Sequence, residues 1–156
     1  MSSTPALRAL SALGIEVTLH PYAYDTKAEA TGLQAAEALG IDPAVMLKTL
    51  MVEVDGKPAC CVIPSDRQLS MKRVASAFGG KSAAMMPAPK AEKLTGYHVG
   101  GISPFGQKRA VPTVIEATAC TAPRVWINAG PRRLLLSLVP EAAITALSAK
   151  ALPLIA

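Results

Sequence analysis

Asp55-Gly56 separates two apolar runs, residues 50–54 and 59–63, and this arrangement restricts the fold more than any other stretch. An Asp-Gly pair takes the two left-handed conformations of a tight hairpin turn. The return arm, Ala59-Cys60-Cys61-Val62-Ile63, is apolar at every position instead of alternating. It therefore predicts a strand buried on both faces, which needs covering layers above and below the sheet. The 156 residues are one domain's length, so residues 1–156 read as a single domain. Hydrophobic residues at 51% can fill such a core, and aromatics at 4% make that core aliphatic.

The remaining signals alternate between helix and strand. Thr4-Pro5 predicts a capped helix with Ala6, Leu7 and Leu10 on its apolar face, ending at Gly14. The alternation of Ile15, Val17 and Leu19 predicts a short strand. Residues 32–39 read as a helix stopped by Gly40, and Asp42-Pro43 opens a single turn through Leu47. Lys48-Thr49 then leads into the first hairpin arm. Ser70 caps a helix over residues 71–78 that Gly79-Gly80 ends, and residues 87–94 form another. Residues 111–115, 125–128 and 134–138 read as strands. Pro140 opens a closing helix ending near Lys150. The expected class is mixed α/β (α+β) around a curved, mainly antiparallel sheet with flanking helices.

Charge and composition set aside several functions. The net charge of +5 favours a polyanionic partner. The basic residues, though, form short groups at 90–93, 108–109 and 132–133 and no long tract. Single-strand stacking platforms use several aromatics, and here Tyr22, Tyr24, Phe78, Tyr97, Phe105 and Trp126 are scattered. Cys60, Cys61 and Cys120 match neither a disulfide framework nor a zinc motif, so no metal and no cofactor is expected. Met1 to Leu10 lacks a signal-peptide pattern and no apolar run reaches ~18 residues, so the expectation is a cytoplasmic protein with no membrane partner.

A conventional hydrolytic nucleophile is hard to find. His20 and His98 are the available imidazole bases, and either can equally be a polar strand or loop residue. Gly101-Ile102-Ser103-Pro104-Phe105 begins like a nucleophile elbow, but the oxyanion hole there needs the N–H of the residue after the serine. That residue is Pro104, which has none. Cys60 and Cys61 sit mid-strand as small hydrophobes pointing to opposite faces. Cys120 has no basic neighbour in sequence to lower its pKa. Two features remain, each with two readings. The glycine loop at 96–106 is either a tight crossover or a place where bare N–H groups meet a carbonyl or phosphate oxygen. Lys48 either snorkels to solvent or points a fixed charge into a cleft.

The segment Thr95-Gly-Tyr-His-Val-Gly-Gly-Ile-Ser-Pro-Phe-Gly-Gln-Lys-Arg109 resembles the T-G-Y-x-V-G-G-I-S-P-x-G-x-K-[KR] run of the YbaK/prolyl-tRNA-synthetase-associated editing family. Lys48-Thr49-Leu50 is similar to the family's K-T-L step. His20-Pro21-Tyr22, residues 68–74 and Pro112-Thr113-Val114-Ile115 follow in family order. The resemblance implies a barrel-like sheet and a free-standing deacylase that clears wrong amino acids from tRNA, with Cys-tRNA(Pro) as the substrate of the most similar branch. It implies Lys48 and Gly101 as catalytic positions. Tyr22, Thr31, Thr49, Gly100, Ile102, Ser103 and Asn128 become substrate-binding positions. The partner is the acceptor end of aminoacyl-tRNA, with prolyl-tRNA synthetase as a candidate second partner.

Three positions depart from the family pattern. Thr31 stands where an aromatic residue is frequent, Asn128 replaces a serine, and Leu135 replaces an acidic residue. The missing nucleophile suits the implied chemistry, in which a cysteinyl substrate's own thiol attacks its ester and yields a cyclic thioester. The protein then supplies positioning and oxyanion stabilisation. A deacylase for another small residue such as Ala, using bound water, is the alternative enzyme. A non-catalytic tRNA-end or nucleotide-binding module is the alternative outside enzymes.

Overall fold

The computed structural model describes residues 4–21, 36, 39–130 and 134–156. Helix α1 (Pro5–Ala12) starts where the sequence indicates: the Thr4 hydroxyl accepts from Leu7 N at 3.2 Å, and Pro5 occupies the first turn. It ends in a Schellman motif, with Gly14 N donating to Ser11 O and Ile15 N to Leu10 O. Ile15 therefore spends its N–H on the helix, and β1 begins only at Thr18 (Thr18–Pro21) rather than at Ile15 as the alternation suggests. Of the helix expected over 32–39, Ala36 and Leu39 are helical and the rest lies outside the described residues.

The hairpin forms as the sequence requires. Strands β2 (Leu47–Val54) and β3 (Lys57–Pro64) pair antiparallel through Asp55 and Gly56, with φ of +50° and +79°. Strand β3 is covered on both sides. Cys60 and Val62 join one apolar cluster with Leu47, Met51 and Phe105, while Ala59, Cys61 and Ile63 join another with Val52, Val74 and Leu154. Helix α2 (Met71–Ala77) is capped by Ser70 and supplies Val74 to the second cluster.

Strand β4 (Ala83–Met85) follows, then helix α3 (Ala88–Thr95), strand β5 (Thr113–Glu116), a 3-10 turn at Ala117–Thr121, β6 (Val125–Asn128) and β7 (Leu134–Leu138). Helix α4 (Pro140–Leu147) and β8 (Lys150–Leu152) close the described chain. One sheet has the order β4-β2-β3-β5-β8 and the other β1-β7-β6. Pairing is antiparallel except at β3–β5 and β5–β8, which are parallel.

The two sheets meet at a bridge between Met46 and Trp126. They do not close into a barrel, so the barrel-like expectation gives way to two joined sheets. The physical reason lies at the seam: β2 turns to pair with β4 at Val52–Val54, and the described residues 47–50 leave the edge facing β6 without a ladder.

Two other expectations shift. The closing helix stops at Leu147, because Ser148 adopts φ +49° and the Ala149 N–H returns to Ile144 O. That frees Lys150–Leu152 to add as a parallel strand beside Val114–Glu116. Residues 111–112 precede β5, although Pro112 O already accepts from Cys60 N at 2.9 Å.

Candidate functional site at the seam between the sheets

Lys48 is the second residue of β2, immediately beyond a backbone junction. Met46 O accepts from both the N–H (2.8 Å) and the hydroxyl of Ser65, and Trp126 N donates to Val45 O at 2.9 Å. Three chain segments thus hold the base of the lysine. Partial burial pulls its ammonium pKa below the usual value, and nearby Asp66 opposes that shift.

Strand alternation sets what each neighbour faces. Leu47 and Met51 pack into the cluster under the glycine loop, and Thr49 shares their face. Met46 and Lys48 share the other. Met46 packs there with Leu135 and Ala36, and Trp126 lies against them. Two residues on from the Met46–Trp126 bridge, Lys48 and Asn128 lie at corresponding positions of β2 and β6 on this face. In register, Asn128 is opposite Leu135, and Leu135 is opposite His20. Lys48 and Thr49 therefore flank the notch where β2 and β6 part, one from each face.

The glycine loop borders the same notch. Its base is pinned by Lys108 N to Thr95 O (2.8 Å) and Arg109 N to Leu94 O (3.2 Å). Tyr97 is buried, donates its hydroxyl to Phe105 O at 2.6 Å, and sits where a Cβ on Gly130 would come within 3.4 Å of its ring. Thr4 lies on the same side of Gly130 as Tyr97; its hydroxyl donates to Ala129 O at 2.6 Å, and Asn128 Oδ1 accepts from Gly130 N at 2.6 Å. The loop and the end of β6 are thereby locked together. Within the loop, Gly100 takes φ +91° and Gly101 N donates to His98 O at 2.8 Å. Ile102 is half-buried against the first cluster. Ser103 is fully buried, and its hydroxyl accepts from Phe105 N at 3.3 Å. Its side chain is thus part of the loop's internal bonding. Gln107 ties the loop to the sheet by donating to Ser103 O at 3.1 Å and lying against Met51 and Cys60.

Lys48 and Thr49 thus stand on β2 and Asn128 on β6 at the seam, while Gly100, Gly101, Ile102 and Ser103 stand in the loop whose Tyr97 lies beside Gly130. Tyr22 and Thr31 lie outside the described residues. The structure adds two groups that the sequence reading did not place in the site. Trp126 Nε1 and Thr49 Oγ1 are both buried and have no hydrogen-bond partner among the described residues. His20 lies 6.1 Å from the Trp126 ring, and its Nε2 is 2.8 Å from the hydroxyl of fully buried Ser137. Arg124 Nε donates to that same hydroxyl at 2.8 Å. Burial and the Arg124 charge lower the His20 pKa, so the ring is neutral near pH 7. Trp126 is the chain's single tryptophan. In an aromatic-poor core that was the available signal.

Other groups are unsuited to attack. Cys60 and Cys61 have no exposed surface, and burial pushes the Cys60 thiol up to about 12 and the Cys61 thiol up as well. Burial and the Glu116 and Glu141 charges raise Cys120 too. Among the described residues no group of His, Cys, Asp and Glu could hold a metal ion. A cleft of about 220 Å³ between α1, Phe105 and α4 contains no titratable side chain. No helix of the described chain is long and apolar enough to cross a membrane.

Residues 26–146 match the aminoacyl-tRNA editing domain. EbsC of Enterococcus faecalis, provisionally named a Cys-tRNA(Pro)/Cys-tRNA(Cys) deacylase, is 38% identical over 112 residues, covering 70% of this chain and 68% of that protein. A proline–tRNA ligase of Nitratidesulfovibrio vulgaris is 27% identical across 81% of this chain, which spans only 21% of the ligase. A crystal structure provisionally described as a trans-editing enzyme for prolyl-tRNA synthetase superposes with a TM-score of 0.86 at 21% identity, covering 100% of this chain and 99% of that one. That likeness fixes the mixed α/β fold. The matched domain and the EbsC identity fix the family: this chain belongs to the aminoacyl-tRNA editing domain family, and with it to the deacylase enzymes.

Proposed function

We propose that this chain is a single-domain, trans-acting deacylase whose preferred substrate is Cys-tRNA(Pro), cleaved by the substrate's own thiol. The observation that carries the mechanism is the state of the protein's own nucleophiles. Cys60 and Cys61 are sealed in the core, and the Ser103 hydroxyl is buried inside its loop. An aminoacyl ester is already activated, so a site that positions it and stabilises the oxyanion suffices.

In this reading the cysteinyl thiolate attacks the ester carbonyl carbon. The C–S bond forms, the bond to the ribose oxygen breaks, and that oxygen leaves with a proton from solvent. The acylated 3′ end enters the notch. Lys48 holds a phosphate or ribose oxygen of the terminal adenosine, and the loop at Gly100–Gly101 borders the carbonyl. Tyr22, Thr31, Thr49, Ile102, Ser103 and Asn128 complete the pocket as wall or as support for it. The likeness to EbsC and to proline–tRNA ligases supports the choice of amino acid and tRNA, and supports prolyl-tRNA synthetase as a partner.

The second reading, a water-using deacylase for Ala, draws on Leu135. An apolar side chain packed with Met46 and Ala36 stands where an acidic one is frequent in the family, and it makes this wall suit a small apolar residue. Parallel deacylation assays with Cys-, Ser-, Ala- and Pro-charged tRNA(Pro) separate the two. Cys-tRNA should turn over fastest, and Ser-tRNA sharply slower because alcohols ionise far less readily than a thiol of pKa about 8.5. Equal rates for Cys and Ser would remove the substrate thiol, and a preference for Ala would establish the second reading.

A further inference from the structure

We propose that Lys93, Lys108 and Arg109 form a phosphate-binding ridge that receives the acceptor strand of tRNA at the base of the glycine loop. Two backbone hydrogen bonds bring these cations together. Lys108 N to Thr95 O and Arg109 N to Leu94 O lay the returning chain along the last turn of α3, which carries Lys93. All three side chains are exposed, and none makes an ion pair among the described residues.

The nearby charges are engaged elsewhere. Glu92, the one carboxylate in this turn, accepts from Val99 N at 2.7 Å and lies 3.6 Å from His98 Nδ1. Lys90 pairs with Glu53. Three unpaired cations against one occupied carboxylate leave a positive edge. Part of the Lys93 charge offsets the negative helix end. Lys108 and Arg109 have no such role, since they stand outside the helix.

Position identifies the occupant. The ridge sits where both ends of the loop meet, and Tyr97 within the loop lies beside Gly130, just past Asn128 at the end of β6. A chain of phosphates leading away from an ester held in that notch would cross the ridge next. An acidic protein surface would be another occupant of the same charges. The continuity with the notch favours the strand that is covalently attached to the ester. The ridge rests on the editing function proposed above, and its test is chosen to fail independently of it.

Binding of uncharged tRNA transcript is followed by fluorescence anisotropy over a salt series for the parent and for the Lys93→Gln/Lys108→Gln/Arg109→Gln variant. A control variant, Lys57→Gln/Lys72→Gln/Lys150→Gln, removes the same charge from exposed positions elsewhere. Thermal melts check that each is folded. The ridge variant should weaken binding roughly tenfold at low salt and reduce the slope of log K against log salt by about 2–3, close to one per phosphate contact. The control should keep most of the parent slope. Equal losses in both variants, or an unchanged slope in the ridge variant, would overturn the ridge. Parent protein that binds tRNA through the ridge yet deacylates nothing would leave the ridge standing and sink the editing function. Parent protein that deacylates, with a ridge variant of parent KM and slope, would do the reverse.

Discussion

Glu116 and the pair Thr49–Trp126 both carry polar atoms out of solvent, with opposite outcomes. Glu116, at the end of β5, is 1% exposed and accepts from Thr118 N (2.9 Å), Leu154 N (2.7 Å) and Ile155 N (3.1 Å). At the seam, Thr49 Oγ1 and Trp126 Nε1 are equally buried and have no partner among the described residues. A buried polar atom without a partner costs about 1–3 kcal/mol. The first site uses burial to hold the C-terminal segment against the sheet. The second forgoes that gain beside half-buried Lys48. The satisfied carboxylate thus lies within the five-stranded sheet, and the two unpartnered atoms lie where that sheet meets the other.

The largest expected effect belongs to the satisfied site. Burial alone pushes the Glu116 carboxyl up, but the backbone N–H bonds outweigh it and hold the pKa below the ordinary value. Because the folded pKa is the lower one, this stabilisation is complete above about 4.3, the ordinary glutamate value. It is lost as pH falls from there through the folded value. Glu116→Ala should cost roughly 3 kcal/mol at pH 7 by stranding two buried donors, Leu154 N and Ile155 N, and releasing the part-buried Thr118 N. Its melting temperature should also lose the acid-side dependence that the lowered Glu116 pKa gives the parent. Denaturant melts at pH 7 and at pH 3 check both. A parent–variant gap that stays constant between those pH values would contradict the assignment.

Next comes the lysine that breaks the symmetry of the comparison. Lys48→Ala should leave stability within about 0.5 kcal/mol and lower kcat/KM for deacylation on the order of 100-fold, the scale for one electrostatic contact to developing charge. Single-turnover deacylation with a folded variant measures it. Full activity would take Lys48 out of the site.

Two glycines sharpen the contrast within the loop. A Cβ on Gly106 would lie 2.2 Å from Pro5 O, at φ +65°. Gly106→Ala should therefore lose about 2 kcal/mol through clash and backbone strain, while the folded fraction keeps its turnover. Gly101→Ala should do the reverse, losing turnover with a smaller change in melting temperature. A loop in which both variants lose stability alone would be a structural crossover.

What could be read in advance follows from the same division. The hairpin, α1 with its Thr4 cap, α2, α3 and strands β6 and β7 are local events, fixed by Asp55-Gly56, capping hydroxyls and apolar runs. Strand β4 was not legible. Ala83–Met85 has no alternation of its own and becomes a strand by pairing with Val52–Val54. Strand β8 was hidden because Ser148 ends α4 at a left-handed φ where the expected signal is a glycine. At the site, Lys48 and the glycine loop stood out by motif. The seam did not, because the Met46–Trp126 bridge joins residues 80 apart and neither residue announces the other.

The smallest effect tests the unsatisfied pair directly. Thr49→Val keeps the shape of the side chain and replaces the unpartnered hydroxyl with a methyl group, so the desolvation cost of that oxygen disappears. Stability should stay level or rise by up to about 1 kcal/mol. If the hydroxyl serves the substrate, KM should rise a few-fold in the same variant, since one neutral hydrogen bond is worth about 1 kcal/mol. Trp126→Phe removes the other unpaired donor while keeping a ring against His20. It should show the same opposed pair of shifts, with slightly less gain in stability because the smaller ring packs less well. Melting curves and steady-state deacylation on the same preparations give both readouts. A gain in stability with unchanged KM in both variants would make the two atoms packing defects, and the recognition surface would then lie with Lys48, Asn128 and the glycine loop alone.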